Sequence, residues 1–423
     1  MYRAPAILDG GGNPGFHWTS DGSDEWRRRV GVRVYPVLPA VVADEYRDKA
    51  GKLAIKDPMR FELGDTPYVH FIRDGRPRIF SFETEGEDLW IAVYSQIKMF
   101  RGDGPFAALK PTELHQFERT TQSGTTSICI SPDYIWAGTF DDGLLELNRR
   151  TKACRRLTMK DGLLLNGISG LKLQGQVLWI AYLNGESGAI GTLDLSNHKF
   201  SSLTPALSLE AGSSSKPHFD QVLLDDLHQA PRLPISSMVA GESGEMWFAV
   251  DEKGIQRFRT VGAKWDTLLQ MERQNSYFPA MAASINERLL LVANREHDVF
   301  DGEKSVSGGL IFYDYRENRR SVMQIRQGLP SNDLTAVAVD GNIAWVGGRG
   351  FVAVVNVQER KVLRVAYISA SEIRGIQLGK VHAWVQVSCA EPADPEYAGK
   401  AWTGVYRLNR SAIEPSVFTA NRN

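Results

Sequence analysis

Cysteine is scarce in this 423-residue chain: Cys129, Cys154 and Cys389 are odd in number and form no Cys-x-x-Cys pair. That count excludes a disulfide framework and a four-thiolate zinc site, and the three thiols read as small residues in strands or loops. Nowhere do 18 apolar residues run together, so no helical membrane span is expected. Residues 1–15 lack a basic stretch followed by an apolar run and do not read as a secretory signal. Neither sign of charge dominates, with 49 Lys+Arg against 50 Asp+Glu. This argues against general binding of nucleic acid or anionic membrane, which needs a basic excess to displace phosphate counterions. Also absent are a Gly-x-Ser-x-Gly elbow, a P-loop, a dinucleotide fingerprint and the ligand order of an EF-hand. As written, the chain reads as a soluble, cytoplasmic protein.

What is present is a repeat. A short alternating strand, a tight turn, an apolar-Trp-apolar-small strand, a glycine-bearing loop and another alternating strand recur along the chain. The clearest copies are SICISPDYIWAGTFDDGLLELN (Ser127–Asn148), LKLQGQVLWIAYLNGESGAIGTLDL (Leu171–Leu195), SMVAGESGEMWFAVDEKGIQRF (Ser237–Phe258) and LTAVAVDGNIAWVGGRGFVAVVN (Leu334–Asn356). Weaker copies span Ile79–Phe100, Ala280–Asp314 and Ile373–Leu408. Trp90, Trp136, Trp179, Trp247, Trp345 and Trp384 mark the register, with Leu291 in the equivalent place of the fifth copy. With visible insertions removed, the period is about 40 to 45 residues, the range of a four-stranded propeller blade. Alternation within strands, as in Ile128/Ile130 and Val337/Val339, gives each sheet an apolar face to pack on its neighbour.

A blade with two apolar faces cannot bury both alone, so stacked blades are driven to close into a ring. The large tryptophan then fills the wedge between adjacent sheets. The expected fold is therefore an all-β β-propeller of seven four-stranded blades over 75–423, with six or eight left open. Residues 1–74 form an N-terminal extension, from which one strand is expected to join the last blade and clasp the ring.

The segment GLPSNDLTAVAVDGNIAWVGGRGFVAVVN (Gly328–Asn356) resembles the two-component regulator propeller repeat. That repeat opens with Gly-Leu-Pro-x-Asn and continues to an apolar-Trp-apolar-Gly strand. Asp161–Ala181 matches in part, with Leu164 where the proline would stand, and Leu233–Phe258 is similar. The resemblance implies a propeller. It also implies the sensing part of a hybrid sensor kinase, periplasmic or extracellular if the chain is a piece of a larger sensor. The match to WD-repeat and quinone-enzyme propellers is worse.

Short turns join each inner strand to its tryptophan strand. The long insertions Pro205–Pro231, Asn294–Gly309 and Ser388–Lys400 fall in the other loop class, on the opposite side of the disc. Function is expected on that elaborated face. The candidate ligand-binding residues are Asp141, Asp142, Glu186, Asp251, Arg295, His297, Asp298, Arg349, Arg374, Tyr397 and Trp402. Acids outnumber bases in these loops, which suits a cationic ligand or a divalent ion such as calcium, or simply solvated turns. His218 and His228 are weak metal candidates whose spacing matches no common pattern. The inner strands carry mostly Ser, Thr and apolar residues at their axial ends, Arg374 excepted, and no catalytic residue is assigned. The reading is a recognition module for a protein or small ligand, monomeric as a fold. The alternative is a propeller lyase or hydrolase with a divalent metal at the axis.

Overall fold

A computed structural model describes residues 80–414, apart from short gaps and the segments 102–112, 117–124, 204–234, 271–279, 296–307 and 390–401, together with three short strands ahead of them. Of those three, β1 (Ala6–Leu8) pairs with β2 (Pro14–Phe16), and β3 (Met59–Glu62) pairs far along the chain.

Five meanders of four antiparallel strands follow. The first is β4 (Phe80–Glu85), β5 (Asp88–Val93), β6 (Gln96–Phe100) and β7 (Glu113–Gln116). The second is β8 (Thr125–Ile130), β9 (Tyr134–Thr139), β10 (Leu144–Asn148) and β11 (Cys154–Leu157). The third is β12 (Ile168–Gln174), β13 (Val177–Asn184), β14 (Ser187–Asp194) and β15 (Lys199–Ser202). Next come β16 (Ile235–Ala240), β17 (Glu245–Val250), β18 (Gly254–Arg259) and β19 (Lys264–Gln270), then β20 (Ala280–Ser284), β21 (Leu289–Asn294), β22 (Gly309–Asp314) and β23 (Arg319–Met323).

The last sheet has six strands: β24 (Leu334–Asp340), β25 (Ile343–Asn356), β26 (Lys361–Leu378), β27 (His382–Cys389), β28 (Trp402–Asn409) and β3. Its two long strands pair in halves. Residues 343–348 of β25 pair with β24, 351–356 pair with 361–367 of β26, and 372–378 of β26 pair with β27. The bridge Arg349–Glu372 connects the two parts. On the far edge, Trp402–Val405 of β28 pair with Met59–Glu62.

The first strands of successive sheets are neighbours: β4 lies beside β8, β8 beside β12, and so on to β24, β26 and back to β4. This circuit defines an all-β β-propeller. Counted as hydrogen-bonded sheets, the blades number six, where the tryptophan register favours seven. The difference arises because β25 and β26 run unbroken through the corners at which that register places turns.

Each tryptophan position nucleates one core between neighbouring layers. Trp90 packs with Ile128 and Leu145, Trp136 with Ile168 and Ile180, Trp179 with Phe248 and Phe258, and Trp247 with Leu290 and Tyr313. Leu291 takes the same role against Val346 and Phe351. Trp345 packs with Ile373 and Val385, and Trp384 with Phe82 and Ile91 of the first sheet. All six tryptophans are fully buried. Because layers cover both faces of a blade, the second strands do not alternate in burial as expected: β21 is buried throughout and β9 and β17 nearly so.

Neighbouring first strands are also stitched by hydroxyls. Thr126 Oγ1 donates to the Ile168 carbonyl, Thr335 Oγ1 to the Ile373 carbonyl, and Ser237 Oγ accepts from the Met281 N–H at 3.3 Å. The approach is close: a Cβ on Gly138 would stand 2.6 Å from Ile168 Cγ2, and one on Gly347 2.4 Å from Ile373 Cγ2. The serines and threonines at the axis thus hold blades together.

Candidate functional site

On the short-turn face, turns are tied to the adjacent blade. Arg149 makes a bidentate pair with Glu85 at 2.7 Å, and Arg316 and Tyr315 hydrogen-bond Glu242 at 2.7 and 2.9 Å. Ser284 Oγ donates to the Gly341 carbonyl at 3.1 Å. After β28 a helical turn, Arg410–Ile413, buries Arg410 against Glu414, and Glu414 accepts from Trp345 Nε1 at 2.8 Å. These groups are occupied in holding the ring.

The opposite face carries the connections that leave second strands and enter first strands. There Glu372 opens the inner half of β26. Arg295, immediately after β21, forms an ion pair and hydrogen bond with one Glu372 carboxylate oxygen, and Arg374 Nη2 lies 3.2 Å from the other. Arg349 is the backbone bridge partner of Glu372. The side chains of Arg295, Glu372 and Arg374 are 18%, 11% and 20% exposed, so the cluster is largely shielded. Two candidates from the sequence, Arg295 and Arg374, are thereby brought to one carboxylate that the sequence reading missed, and a third, Arg349, pairs with the same residue through the backbone. Its only local signal is its position two residues before Arg374, which stands at a bulge in the strand entering the ring.

The other candidates fare differently. Asp141 is exposed in the turn after β9. Asp142 is buried: its carboxylate lies 3.4 Å from Arg156 Nε and its N–H donates to Thr139 Oγ1 at 2.8 Å, which makes it a turn anchor. Trp402 opens β28 opposite Glu62. Glu186, Asp251, His297, Asp298, Tyr397, His218 and His228 lie outside the described residues. Among the described residues no group of three or more His, Cys, Asp or Glu side chains could hold a metal ion, and no helix is long and apolar enough to cross a membrane.

The first strands also carry two ionisable groups that the sequence reading passed over, Glu83 and Lys172, on either side of Cys129. Glu83, Cys129 and Lys172 occupy the same rung of three consecutive first strands, each paired with the tryptophan of its own sheet. Burial raises the Glu83 carboxyl above its ordinary value, and the charge of Lys172 draws it partly back. Burial, reinforced by Glu83, pushes the Cys129 thiol up to about 12.

The fold defines the class: an all-β β-propeller. The extracellular domain of BT4673 from B. thetaiotaomicron, assigned to a one-component system, is similar with a TM-score of 0.51 and 15% identity over 77% of this chain. A second structure of the BT4673 extracellular domain, assigned to a hybrid two-component system, is similar with a TM-score of 0.50 and 15% identity over the same share. The extracellular domain of BT3049 from the same organism gives a TM-score of 0.49 at 14% identity, over 77% of this chain and 39% of that one. The chain spans 38% of the length of the BT4673 domains, and at such identity the likeness establishes the propeller fold. No family model matches the chain, and no curated protein is similar to it in sequence.

Proposed function

We propose that the chain is a seven-bladed propeller of the two-component regulator type. In this reading it is a non-catalytic sensing module of a larger, extracytoplasmic signalling protein, binding its ligand on the face that carries the long connections. The blade count treats the six-stranded sheet as two blades, 334–367 and 372–409 with β3, joined by the long β25 and β26. Three parallels support it. Trp345 shares a core with Ile373 and Val385, as Trp136 does with Ile168 and Ile180. Thr335 reaches Ile373 as Thr126 reaches Ile168. Gly347 crowds Ile373 as Gly138 crowds Ile168. On this count β3 is the clasp, a strand from the N-terminal extension completing the last blade.

The repeat resemblance gains a physical basis as well. Asn166 and Asn332, the asparagines of the repeat opening, accept through Oδ1 from the N–H of Met159 and Ile325 at 3.0 and 2.9 Å. Each thereby caps the one-turn helix, Met159–Asp161 or Ile325–Gln327, that feeds the next first strand. The sensing role is supported by the likeness of fold to extracellular domains assigned to one-component and hybrid two-component systems.

The observation that carries the ligand face is the meeting of Arg295, from the connection after β21, with Glu372 and Arg374 of β26, where Glu372 bridges to Arg349 of β25. Partly shielded, charged groups brought together from distant sequence are more typical of recognition than of turn chemistry. A thermal-shift screen of small ligands on the full chain, followed by hydrogen exchange on the hits, tests the reading. Protection is expected around 295, 349 and 372–374. Protection confined to the short-turn face, around 86–87 and 341–342, would contradict it.

A further inference from the structure

We infer that the axis of the ring holds a second site at mid-depth, for a small zwitterion of the amino-acid class whose ammonium meets Glu83 and whose carboxylate meets Lys172. The site is separate from the ligand face described above. The tryptophan rung sets its level: Glu83, Cys129 and Lys172 stand there on three consecutive first strands. At the same level β16, β20 and β24 place Val239, Ala282 and Ala338, and the inner half of β26 places Gln377. All of these except Cys129 are partly exposed. A neighbouring blade covers each face of these sheets, and a second strand covers the outer edge of each first strand. Solvent therefore reaches this rung along the axis.

The two charges lie on one side of the ring and do not neutralise each other by contact. β8 stands between their strands, and among the described residues neither side chain makes a hydrogen bond or an ion pair. Lys172 is nonetheless near enough for its charge to act on the Glu83 carboxyl. Carboxylates at the ends of the blades are answered directly, Glu85 by Arg149 and Glu242 by Arg316. A shielded charge without a partner costs free energy that a ligand of opposite charge recovers. A singly charged ligand would serve one of the two groups and leave the other, whereas an ammonium and a carboxylate on one small molecule serve both. Across the axis, Val239, Ala282 and Ala338 offer a small apolar wall that suits an aliphatic side chain on the ligand.

The test is titration calorimetry on the full chain with three probes: leucine, isoamylamine, which is leucine without its carboxylate, and isocaproate, which is leucine without its ammonium. Leucine is expected to bind saturably and about tenfold or more tighter than either half-ligand. Glu83→Gln should remove the advantage of leucine over isocaproate, and Lys172→Met its advantage over isoamylamine. That selective exchange is one a merely structural role would not produce. Melting curves report whether each variant folds, and where one does not, the wild-type ranking of the three probes decides. The inference fails if leucine does not bind, if it binds no better than its halves, or if its binding is indifferent to both substitutions. Hydrogen-exchange protection by leucine confined to residues around 295 and 372–374 would sink the axial site and leave the ligand face standing.

Discussion

Glu87 and His382, 295 positions apart in sequence, meet where the first and last sheets join: Glu87 Oε2 lies 3.0 Å from His382 Nδ1. The same carboxylate accepts from the N–H of Val381 at 2.8 Å and of His382 at 3.2 Å. One side chain of the first short turn therefore engages three groups of the last sheet. Glu87→Ala leaves two backbone donors to water and should cost about 1–2 kcal/mol. Chemical denaturation should register that loss, whereas Glu317→Ala, which breaks an exposed pair with Arg319, should be nearly neutral.

The packing of Trp384 on Phe82, Leu89 and Ile91 closes the same junction from within. Trp384→Ala empties a fully buried site and should destabilise by about 3–5 kcal/mol. Guanidinium unfolding followed by far-UV circular dichroism measures it.

Much of this was legible in the sequence. The tryptophan register holds because only a large planar side chain fills the gap between splayed sheets, and Leu291 could be placed at the same rung from its flanking strands alone. The asparagine of the repeat opening was readable for a similar reason, since it caps a turn a few residues upstream. The unbroken course of β25 and β26 was not legible: Arg349-Gly350-Phe351 and the stretch before Glu372 read as corners by composition, and only pairing across the sheet decides whether hydrogen bonding runs through them. Glu372 was missed because its partner Arg295 lies 77 residues away and nothing local distinguishes it. Glu83 and Lys172 were missed because the inner strands were read at their axial ends, while these two stand on a middle rung.

The equivalence of Gly138 and Gly347 makes a matched pair of predictions. Gly138→Ala and Gly347→Ala each press a methyl group into the isoleucine of the next first strand, Ile168 or Ile373. Both should cost about 1–3 kcal/mol through overpacking. Similar losses in urea unfolding support the treatment of 334–367 and 372–409 as separate, stacked blades. A loss at Gly138 with none at Gly347 would count against it.

Acid sensitivity should have one identifiable source in Glu242. Hydrogen bonds from Arg316 and then Tyr315 hold its carboxyl below the ordinary 4.5. A depressed folded-state pKa contributes stability that is fully present above the unfolded value and is lost as pH falls through the folded one. The wild-type chain should therefore lose part of its stability on acidification below about pH 4.5. Glu242→Gln should be less stable than wild type at pH 7, with the gap narrowing toward pH 3. Melting temperatures across that range check both the sign and the window.

The central claim is a ring closed by a strand from the N-terminal extension, and disulfide trapping across β3 and β28 tests it most directly. Phe61 and Thr403 are opposed in the pairing of these strands, so Phe61→Cys with Thr403→Cys, in a chain whose own three cysteines are replaced, places two thiols face to face. The account predicts a rapid crosslink under mild oxidation and a raised melting temperature, with no crosslink when the second cysteine is moved to position 407. Failure of the 61–403 pair to crosslink, together with unchanged stability on deletion of residues 1–62, would contradict it.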